Sequence, residues 1–206
     1  MTIRIFGLLI LWICLLASPL VLGQTLKVAA WNLESGGSTT PNLVSRVRSI
    51  RNVDLWGFSE LRDQTVLTAI TAAAATGQQG VFRGILGATG GGDRLAIVYN
   101  STRFRLVRSE ELEEINVSGT VRAPLVAKFR DTETGKQFFF MVNHLYRGSF
   151  EGRREQSRLL NNWAEGQDLP VIAVGDFNYD LNVVDPTDHD YGFDLLTLHR
   201  YSAARG

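Results

Sequence analysis

Side chains that can bind a metal ion or move a proton follow four apolar runs of this sequence, each at the point where the run ends. They are carboxylates, amides and an imidazole. Sites in open sheets form outside strand ends, where side chains from distant segments converge. One such residue at a strand end carries little information, but four strand ends that each present one of these groups predict a common functional site. The residues are Asn32 after 26–31, Glu60 after 54–59, Asn143 and His144 after 138–142, and Asp176 and Asn178 after 171–175.

The donor atoms of these residues predict a hard divalent cation. Asn32, Glu60 and Asp176 offer oxygen ligands, which suit Mg²⁺ or Mn²⁺. Because Mg²⁺ binds through one or two carboxylates and keeps several waters, Glu60 supported by Asn32 is sufficient. The single cysteine, Cys14, lies in the apolar N-terminal segment, so the rest of the chain has no thiolate for a zinc site. An imidazole such as His144 can protonate or hydrogen-bond a phosphate oxygen near neutral pH.

Short motifs surround these residues in a fixed order. They are Val28-Ala-Ala-Trp-Asn32-Leu, Leu55-Trp-Gly-Phe-Ser-Glu60, Asn143-His144-Leu145 and Gly175-Asp176-Phe177-Asn178. The last two are the specific ones, and the first two are weak alone. Together, over residues 26–178, they resemble the endonuclease/exonuclease/phosphatase superfamily, which includes pancreatic-type deoxyribonucleases, abasic-site endonucleases, sphingomyelinases and inositol-polyphosphate phosphatases.

The resemblance implies a role for each matching residue. Glu60 would be the principal carboxylate ligand of the metal, with Asn32 beside it. His144 would contact the scissile phosphate and help to protonate the leaving oxygen. Asp176 would orient the attacking water or a catalytic proton, and Asn178 would hold phosphate.

Arg122 and the other candidates each have a structural alternative. Arg122 precedes Ala-Pro and resembles the family's Arg-x-Pro step, where the planar guanidinium can reach phosphate. The alternative is an ordinary exposed arginine on a strand. His144 alone could be a structural histidine, Glu60 a solvated strand end, and Asp176 with Asn178 a turn that caps its own backbone.

Other conspicuous residues favour structural roles. Gly87–Asp93 contains four glycines but lacks Gly-Lys-Ser/Thr and opens no helix, so it is predicted to be a mobile hairpin loop. Phe138–Phe140 is predicted to be a core strand buried on both faces. Arg153, Arg154 and Arg158 are predicted to lie on the solvated face of their helix, with a phosphate-backbone contact as the alternative.

One motif of the superfamily is missing from the pattern. In the family, the final strand of the domain carries a Ser-Asp-His motif. After Asn178, no apolar run of this sequence ends in that motif. Thr187-Asp188-His189-Asp190 is superficially similar but lies in a polar segment, and His199 has no acidic neighbour. We therefore expect a chain truncated at the C-terminus, with the second catalytic histidine beyond Gly206, and we expect residues 24–206 without that histidine to be nearly inactive.

The elements that must position these residues indicate an α/β fold. Helices separate the early strands, the middle is rich in strands, and a helix and a strand follow. This order predicts a four-layer sandwich of two mixed β-sheets flanked by helices. The predicted strands are 26–30, 54–59, 81–86, 94–99, 104–107, 123–129, 137–143 and 171–174, and the predicted helices are 41–52, 64–77 and 154–165.

The N-terminus predicts export. Residues 1–23 combine one positive charge, an apolar run and small residues before Gln24, the layout of a cleaved signal peptide. The alternative is an uncleaved membrane anchor, since 5–23 is just long enough to span a bilayer. We expect residues 24–206 to be one monomeric domain, secreted or periplasmic, without stable membrane insertion after cleavage.

The function predicted from these observations is a divalent-metal-dependent phosphoesterase. Twenty-one basic residues balance 21 acidic ones, which argues against a protein that coats nucleic acid through its charge alone. A secreted nuclease or general phosphodiesterase, acting on nucleic acid or another phosphodiester, is the first interpretation. The alternatives are a lipid or small-molecule phosphatase of the same fold and a non-catalytic phosphate-binding domain.

Overall fold

Two four-stranded mixed sheets lie at the centre of the structure, a computed structural model that describes residues 25–35, 37–119, 121–180 and 190–197. The strand order is β1-β2-β4-β3 in the first sheet and β5-β6-β7-β8 in the second. In chain order the strands are β1 (Val28–Asn32), β2 (Leu55–Leu61), β3 (Phe82–Leu86), β4 (Arg94–Asn100), β5 (Phe104–Glu111), β6 (Leu125–Asp131), β7 (Gln137–His144) and β8 (Val171–Asp176).

Each sheet contains one parallel pair of strands, joined through a helix. Strands β1 and β2 are parallel and connected through α1 (Thr40–Ser49), while β7 and β8 are parallel and connected through α3 (Phe150–Glu165). All other neighbouring strands are antiparallel. The carboxyl ends of two parallel strands meet at one edge of a sheet, so each pair presents its terminal residues together. The two sheets bring their parallel pairs into contact.

Helices α2 and α3 each begin at a residue whose side chain caps the first turn. The carboxylate of Asp63 accepts a hydrogen bond from Val66 N at 3.0 Å at the start of α2 (Gln64–Ala74). Ser149 Oγ accepts from Gly152 N at 3.0 Å at the start of α3. A fourth helix, α4, spans Tyr191–Thr197, and short 3₁₀ turns occupy Glu113–Ile115 and Val117–Gly119.

Three clusters of buried apolar side chains define the layers. One lies between the two sheets and includes Leu55, Ile97, Phe129 and Phe140. A second joins the outer face of the first sheet to α1 and α2, and a third joins the outer face of the second sheet to α3. Alternating side chains of a strand face opposite sides, so β2 and β7 contribute to two clusters each. The predicted four-layer α/β sandwich of two mixed sheets is confirmed.

The two sheets approach each other closely at Gly57, in the middle of β2. A Cβ atom there would lie 2.6 Å from Val174 Cγ2 and 2.9 Å from Val142 Cγ2, both in the second sheet. Only a residue without a side chain allows β2 to pack this closely against β7 and β8.

Replacing Gly57 by alanine is expected to lower the free energy of unfolding by about 1–3 kcal/mol, because the added methyl overpacks the space between the sheets. Gly92→Ala is the matched control, since nothing lies within 4 Å of a Cβ at Gly92. Urea denaturation of both variants measures the difference. Equal stability of the two would show that the sheet spacing is not set by Gly57.

Most predicted elements are present, with two departures. Helix α4 was not predicted, because its segment is only 7 residues long. The prediction that Arg153 lies on the solvated face of α3 is wrong: its side chain is 2% exposed. The predicted core strand at 138–140 is confirmed, with Phe139 and Phe140 buried. No helix in the described ranges is long and apolar enough to cross a membrane, and residues 1–23 lie outside those ranges.

Candidate active site

Glu60 is turned toward the edge of the sandwich by an irregularity near the end of β2. The pairing register with β4 shifts between Phe58 and Leu61, and Glu60 has φ 57°. A bulge of this kind bends the strand and redirects a side chain. Ser35 stabilises this conformation of Glu60: its N–H donates to Glu60 Oε2 at 3.0 Å, and its hydroxyl donates to Glu60 O at 3.1 Å.

Asn32 links the two sheets at this edge. Its Nδ2 donates hydrogen bonds of 2.9 Å to Glu60 Oε1 and to Asp176 Oδ2. Its Oδ1 accepts from Glu34 N, also at 2.9 Å, which fixes the orientation of the amide. One amide nitrogen therefore lies between two carboxylates that come from different sheets.

The Gly-Asp-Phe-Asn motif is a tight backbone turn at the end of β8. Gly175 has φ 124°, and a Cβ there would lie 2.0 Å from Asn143 O, so only glycine fits. Asn178 has φ 51°, donates its N–H to Asp176 Oδ1 at 2.9 Å and its Nδ2 to Leu145 O at 2.9 Å. The turn thus aims Asp176 at the edge and ties it to the segment after His144.

Asp176 is held in its ionised form. Burial raises its pKa, but hydrogen bonds from Asn32 and from the Asn178 N–H outweigh burial and bring the pKa below its usual value, with help from the charge of Arg122 and from His144, which is protonated at the acidic pH where this carboxyl titrates. The carboxylate therefore remains charged throughout the neutral range.

His144 lies beneath these carboxylates with 4% of its side chain exposed. Its Nε2 is 3.7 Å from Glu60 Oε1 and 3.9 Å from Asp176 Oδ2. Burial and the nearby Arg122 lower its pKa below the usual value, although both carboxylates oppose the shift. The imidazole is therefore neutral near pH 7. The tautomer with a proton on Nε2 directs a donor toward the carboxylates and leaves buried Nδ1 without a partner among the described residues.

Arg122 brings a positive charge to the same edge and is not an ordinary exposed arginine. Its side chain is 12% exposed, its Nη1 lies 3.6 Å from Asp93 Oδ2, and its Nε donates to His144 O at 3.4 Å. Burial lowers its pKa, while Asp93, Glu60 and Asp176 raise it. Because an arginine stays protonated in proteins, the guanidinium offsets part of the negative charge of the two site carboxylates.

An open cleft of about 820 Å³ lies over this edge. Its floor contains the carboxylates and amides described above, and its walls come from the segment after β1, the segment after β7 and the start of α3. Arg122 and His144 do not line it directly but lie beside and beneath the floor. The lining residues are Asn32, Glu34, Ser35, Gly37, Glu60, Arg147, Phe150, Arg153, Asp176, Asn178, Tyr179 and Asp180.

The structure therefore brings all six candidate residues to one edge, and it adds others that the sequence did not single out. Ser35 holds Glu60, and Asp93 pairs with Arg122. Asp93 ends the glycine-rich segment, which connects antiparallel β3 and β4 as a hairpin. No motif marks Ser35. Asp93 could have been noticed as an acidic residue beside the glycines, but its role becomes clear only when the structure shows Arg122 next to it.

Two weaker candidates are not tested by this geometry. Residues 187–189 and His199 lie outside the described residues. Asp190, the last residue of that segment, is described, and its side chain is buried against Arg153 at 2.6 Å. It is therefore occupied in an ion pair away from Glu60.

The donor set fits a hard divalent cation that keeps waters. Within the described ranges, no group of three or more histidine, cysteine, aspartate or glutamate side chains has the geometry to hold a metal. Two carboxylates do converge, Glu60 and Asp176, on either side of the Asn32 amide. One or two carboxylates with additional waters is the usual protein environment of Mg²⁺.

Comparisons with known proteins agree with this fold. No curated protein sequence matches significantly. Similar solved structures include an endonuclease/exonuclease/phosphatase family protein from Bacteroides thetaiotaomicron, with TM-score 0.65, 20% identity and coverage of 84% of this chain and 66% of that chain. Others are a mannosyl-6-phosphatase of the same species (0.63, 21%, 84% and 70%) and D. rerio TDP2 complexed with a single-strand DNA product (0.60, 19%, 74% and 60%).

These identities show likeness of fold alone, and this chain spans 60% to 70% of the length of those proteins. A sequence model of the Endonuclease/Exonuclease/phosphatase family matches residues 29–200, which include all six candidate residues. The chain therefore belongs to the endonuclease/exonuclease/phosphatase family, whose members hydrolyse phosphoesters and generally use divalent metals.

Proposed function

We propose that this protein is a divalent-metal-dependent phosphoesterase, an exported nuclease or general phosphodiesterase that hydrolyses P–O bonds in the cleft. The observation that carries the proposal is the arrangement around Asn32. Its amide holds Glu60 and Asp176 at 2.9 Å each, and His144 Nε2 lies within 4 Å of both carboxylates. A structural turn or a solvated strand end does not require three charged or titratable groups at this spacing.

Glu60, with Asp176 beside it, would hold Mg²⁺ or Mn²⁺. Asn32, whose Nδ2 donates to both carboxylates while its Oδ1 accepts from Glu34 N, would fix their spacing. When bound, such an ion polarises a phosphoryl oxygen and stabilises the charge on the leaving group. Ser35 contributes by fixing the Glu60 carboxylate and the strained backbone that carries it. A fixed carboxylate binds an ion more tightly than a mobile one, because less conformational freedom is lost on binding.

The remaining residues bind and orient the phosphate group. His144, neutral at physiological pH, donates a hydrogen bond from Nε2 to a phosphate oxygen. Once a proton is bound at Nδ1, the imidazolium transfers its Nε2 proton to the leaving oxygen and returns to the neutral imidazole. Asp176, ionised, orients the attacking water and accepts a hydrogen bond from it. Arg122 and Asn178 stabilise the negative charge of the phosphate, Arg122 through its full positive charge.

The cleft favours a polar phosphodiester over a lipid. Of its lining residues, Phe150 and Tyr179 carry aromatic rings, and the others are polar, charged or glycine. An acyl chain needs a continuous apolar surface, because burying it against polar groups gains no hydrophobic free energy.

The proposal predicts that the full-length protein, with the expected Ser-Asp-His segment, hydrolyses bis-p-nitrophenyl phosphate with Mg²⁺ or Mn²⁺, loses activity in EDTA and recovers it when excess metal is added. The diester should be cleaved faster than p-nitrophenyl phosphate, a monoester, and plasmid DNA should be nicked under the same conditions. Release of p-nitrophenolate is the measurement. Preference for the monoester would favour a phosphatase, and phosphate binding without hydrolysis of either ester would favour a non-catalytic domain.

A further inference from the structure

One wall of the cleft carries an exposed aromatic ring. Phe150, at the start of α3, has 54% of its surface exposed and lines the cleft. The guanidinium of Arg153 lies over the ring, with its Cζ 4.7 Å from the centroid. Because Arg153 is itself buried, the ring has a fixed support on one side and remains accessible on the other. Solvent exposure of a phenylalanine in a polar cleft costs hydrophobic free energy unless a ligand covers it.

A positive charge lies beside this ring. Arg147 is exposed, lines the same cleft and makes no ion pair with the described residues. Its backbone is held in place, since Arg153 Nη1 donates to Tyr146 O at 3.0 Å and to Arg147 O at 3.3 Å. The buried Arg153 therefore fixes both the ring and the loop that carries the charge.

We propose that Phe150 and Arg147 form a subsite for the nucleotide next to the scissile phosphate, so that the preferred substrate is a single-stranded nucleic acid. This rests on the proposed phosphodiesterase function. The base stacks on the Phe150 ring and the neighbouring phosphate contacts Arg147, which is the combination by which proteins bind single strands without reading their sequence. In a duplex the faces of the bases are stacked on one another, so the ring has no partner there.

The test is binding in EDTA, where no cleavage occurs, measured by fluorescence anisotropy. We compare two strands of about eight nucleotides, a length within the site size of single-strand binding proteins. One is oligothymidylate, and the other is an abasic strand with the same number of phosphates. The variants are Phe150→Ala and Arg147→Gln. Tyr191→Ala is the matched control for the ring, since Tyr191 is 51% exposed and stacked on Arg154 but lies outside the cleft. Arg48→Gln, exposed on α1, is the control for the charge.

The wild-type protein is expected to bind oligothymidylate about tenfold more tightly than the abasic strand, the effect of one base–aromatic stack. Phe150→Ala should lose that preference, whereas Tyr191→Ala should keep it. Arg147→Gln should weaken both strands alike and reduce the slope of log affinity against log salt by about 0.7, and Arg48→Gln should not. A wild-type protein without preference, or a preference that survives Phe150→Ala, would overturn the proposal.

Failure of this inference is distinguishable from failure of the proposed function. With Mg²⁺ present, Phe150→Ala should slow cleavage of oligothymidylate more than cleavage of the abasic strand, because only the former has a base to stack on the ring. If Phe150→Ala slowed abasic cleavage as much as oligothymidylate cleavage, the ring would not be a base subsite. If no diester were hydrolysed at all, the proposed function would fail, while the binding comparison would still decide the role of Phe150.

Discussion

Replacing His144 by asparagine is expected to lower kcat for phosphodiester hydrolysis about 100- to 10,000-fold, the usual loss when a proton-transfer group is removed. The affinity for Mn²⁺ should stay within about threefold, because Nε2 faces the carboxylates without belonging to the oxygen donor set that binds a hard cation. This separates proton transfer from metal binding. Asparagine keeps a polar group at a position that is 4% exposed, so the fold is preserved better than with alanine.

Steady-state kinetics and Mn²⁺ titration by electron paramagnetic resonance measure the two effects. Arg48→Gln, exposed on α1 and outside the cleft, is the control and should change neither value. A His144→Asn variant that retains kcat within threefold of the wild-type value would remove His144 from the reaction. Thermal melting of both variants shows whether a loss of activity comes from unfolding.

Replacing Arg153 by methionine is expected to lower the free energy of unfolding by about 3–5 kcal/mol, because the buried Asp190 carboxylate loses its two shortest charge-assisted hydrogen bonds and keeps, among the described residues, only the Gly192 N–H and Arg154 at 4.0 Å. Arg153 Nε and Nη2 donate to Asp190 Oδ2 at 2.8 and 2.6 Å, and the Asp190 side chain is fully buried. The pair joins α3 to the start of α4. The double variant Arg153→Met/Asp190→Leu should recover most of the loss, since it removes both charges.

The pH dependence of stability gives a second readout for this pair. Burial raises the Asp190 pKa, but the Gly192 N–H and the Arg153 guanidinium outweigh it, so the pKa in the folded state lies below the usual 3.8. A depressed carboxyl pKa adds stability that is present above the unfolded value and is lost as the pH falls through the folded value. The wild-type protein should lose this contribution below about pH 4, and Asp190→Asn should not show it. Equal stability of the wild type and Arg153→Met would show that the pair is not stabilising.

Five of the six site residues could be predicted because each ends or closely follows an apolar run, and the parallel strands carry those ends to one edge. Asn32 and Asp176 illustrate this: they are 144 positions apart in sequence, yet their side chains are hydrogen-bonded. Arg122, which precedes β6, was predicted from its resemblance to the Arg-x-Pro step. The sandwich itself followed from the order of strands and helices. The structure explains why the Gly-Asp-Phe-Asn motif begins with glycine, which the motif alone did not show: a Cβ at Gly175 would collide with Asn143 O.

Other features depend on tertiary contacts that no local pattern records. The bulge at Glu60 exists because β2 pairs with β4 on one side and ends beside Ser35 on the other. Arg153 has the spacing of a solvated helical face, but a carboxylate 37 positions away draws it into the interior. Phe150 resembles an ordinary helix residue until the cleft beside it is known. Pairings over such distances decide whether an arginine is solvated or buried.

The central claim is that Glu60 binds the metal used in phosphodiester hydrolysis. Its most direct test is the Mg²⁺ dependence of bis-p-nitrophenyl phosphate hydrolysis by the wild-type protein, Glu60→Gln and the control Glu133→Gln, an exposed residue between β6 and β7. EDTA should abolish activity in all three. Glu60→Gln should need at least about tenfold more Mg²⁺ for half-maximal rate, because an amide lacks the charge that holds a hard cation, and Glu133→Gln should match the wild type. Hydrolysis that is insensitive to EDTA, or the same Mg²⁺ dependence in Glu60→Gln and the wild type, would contradict the account.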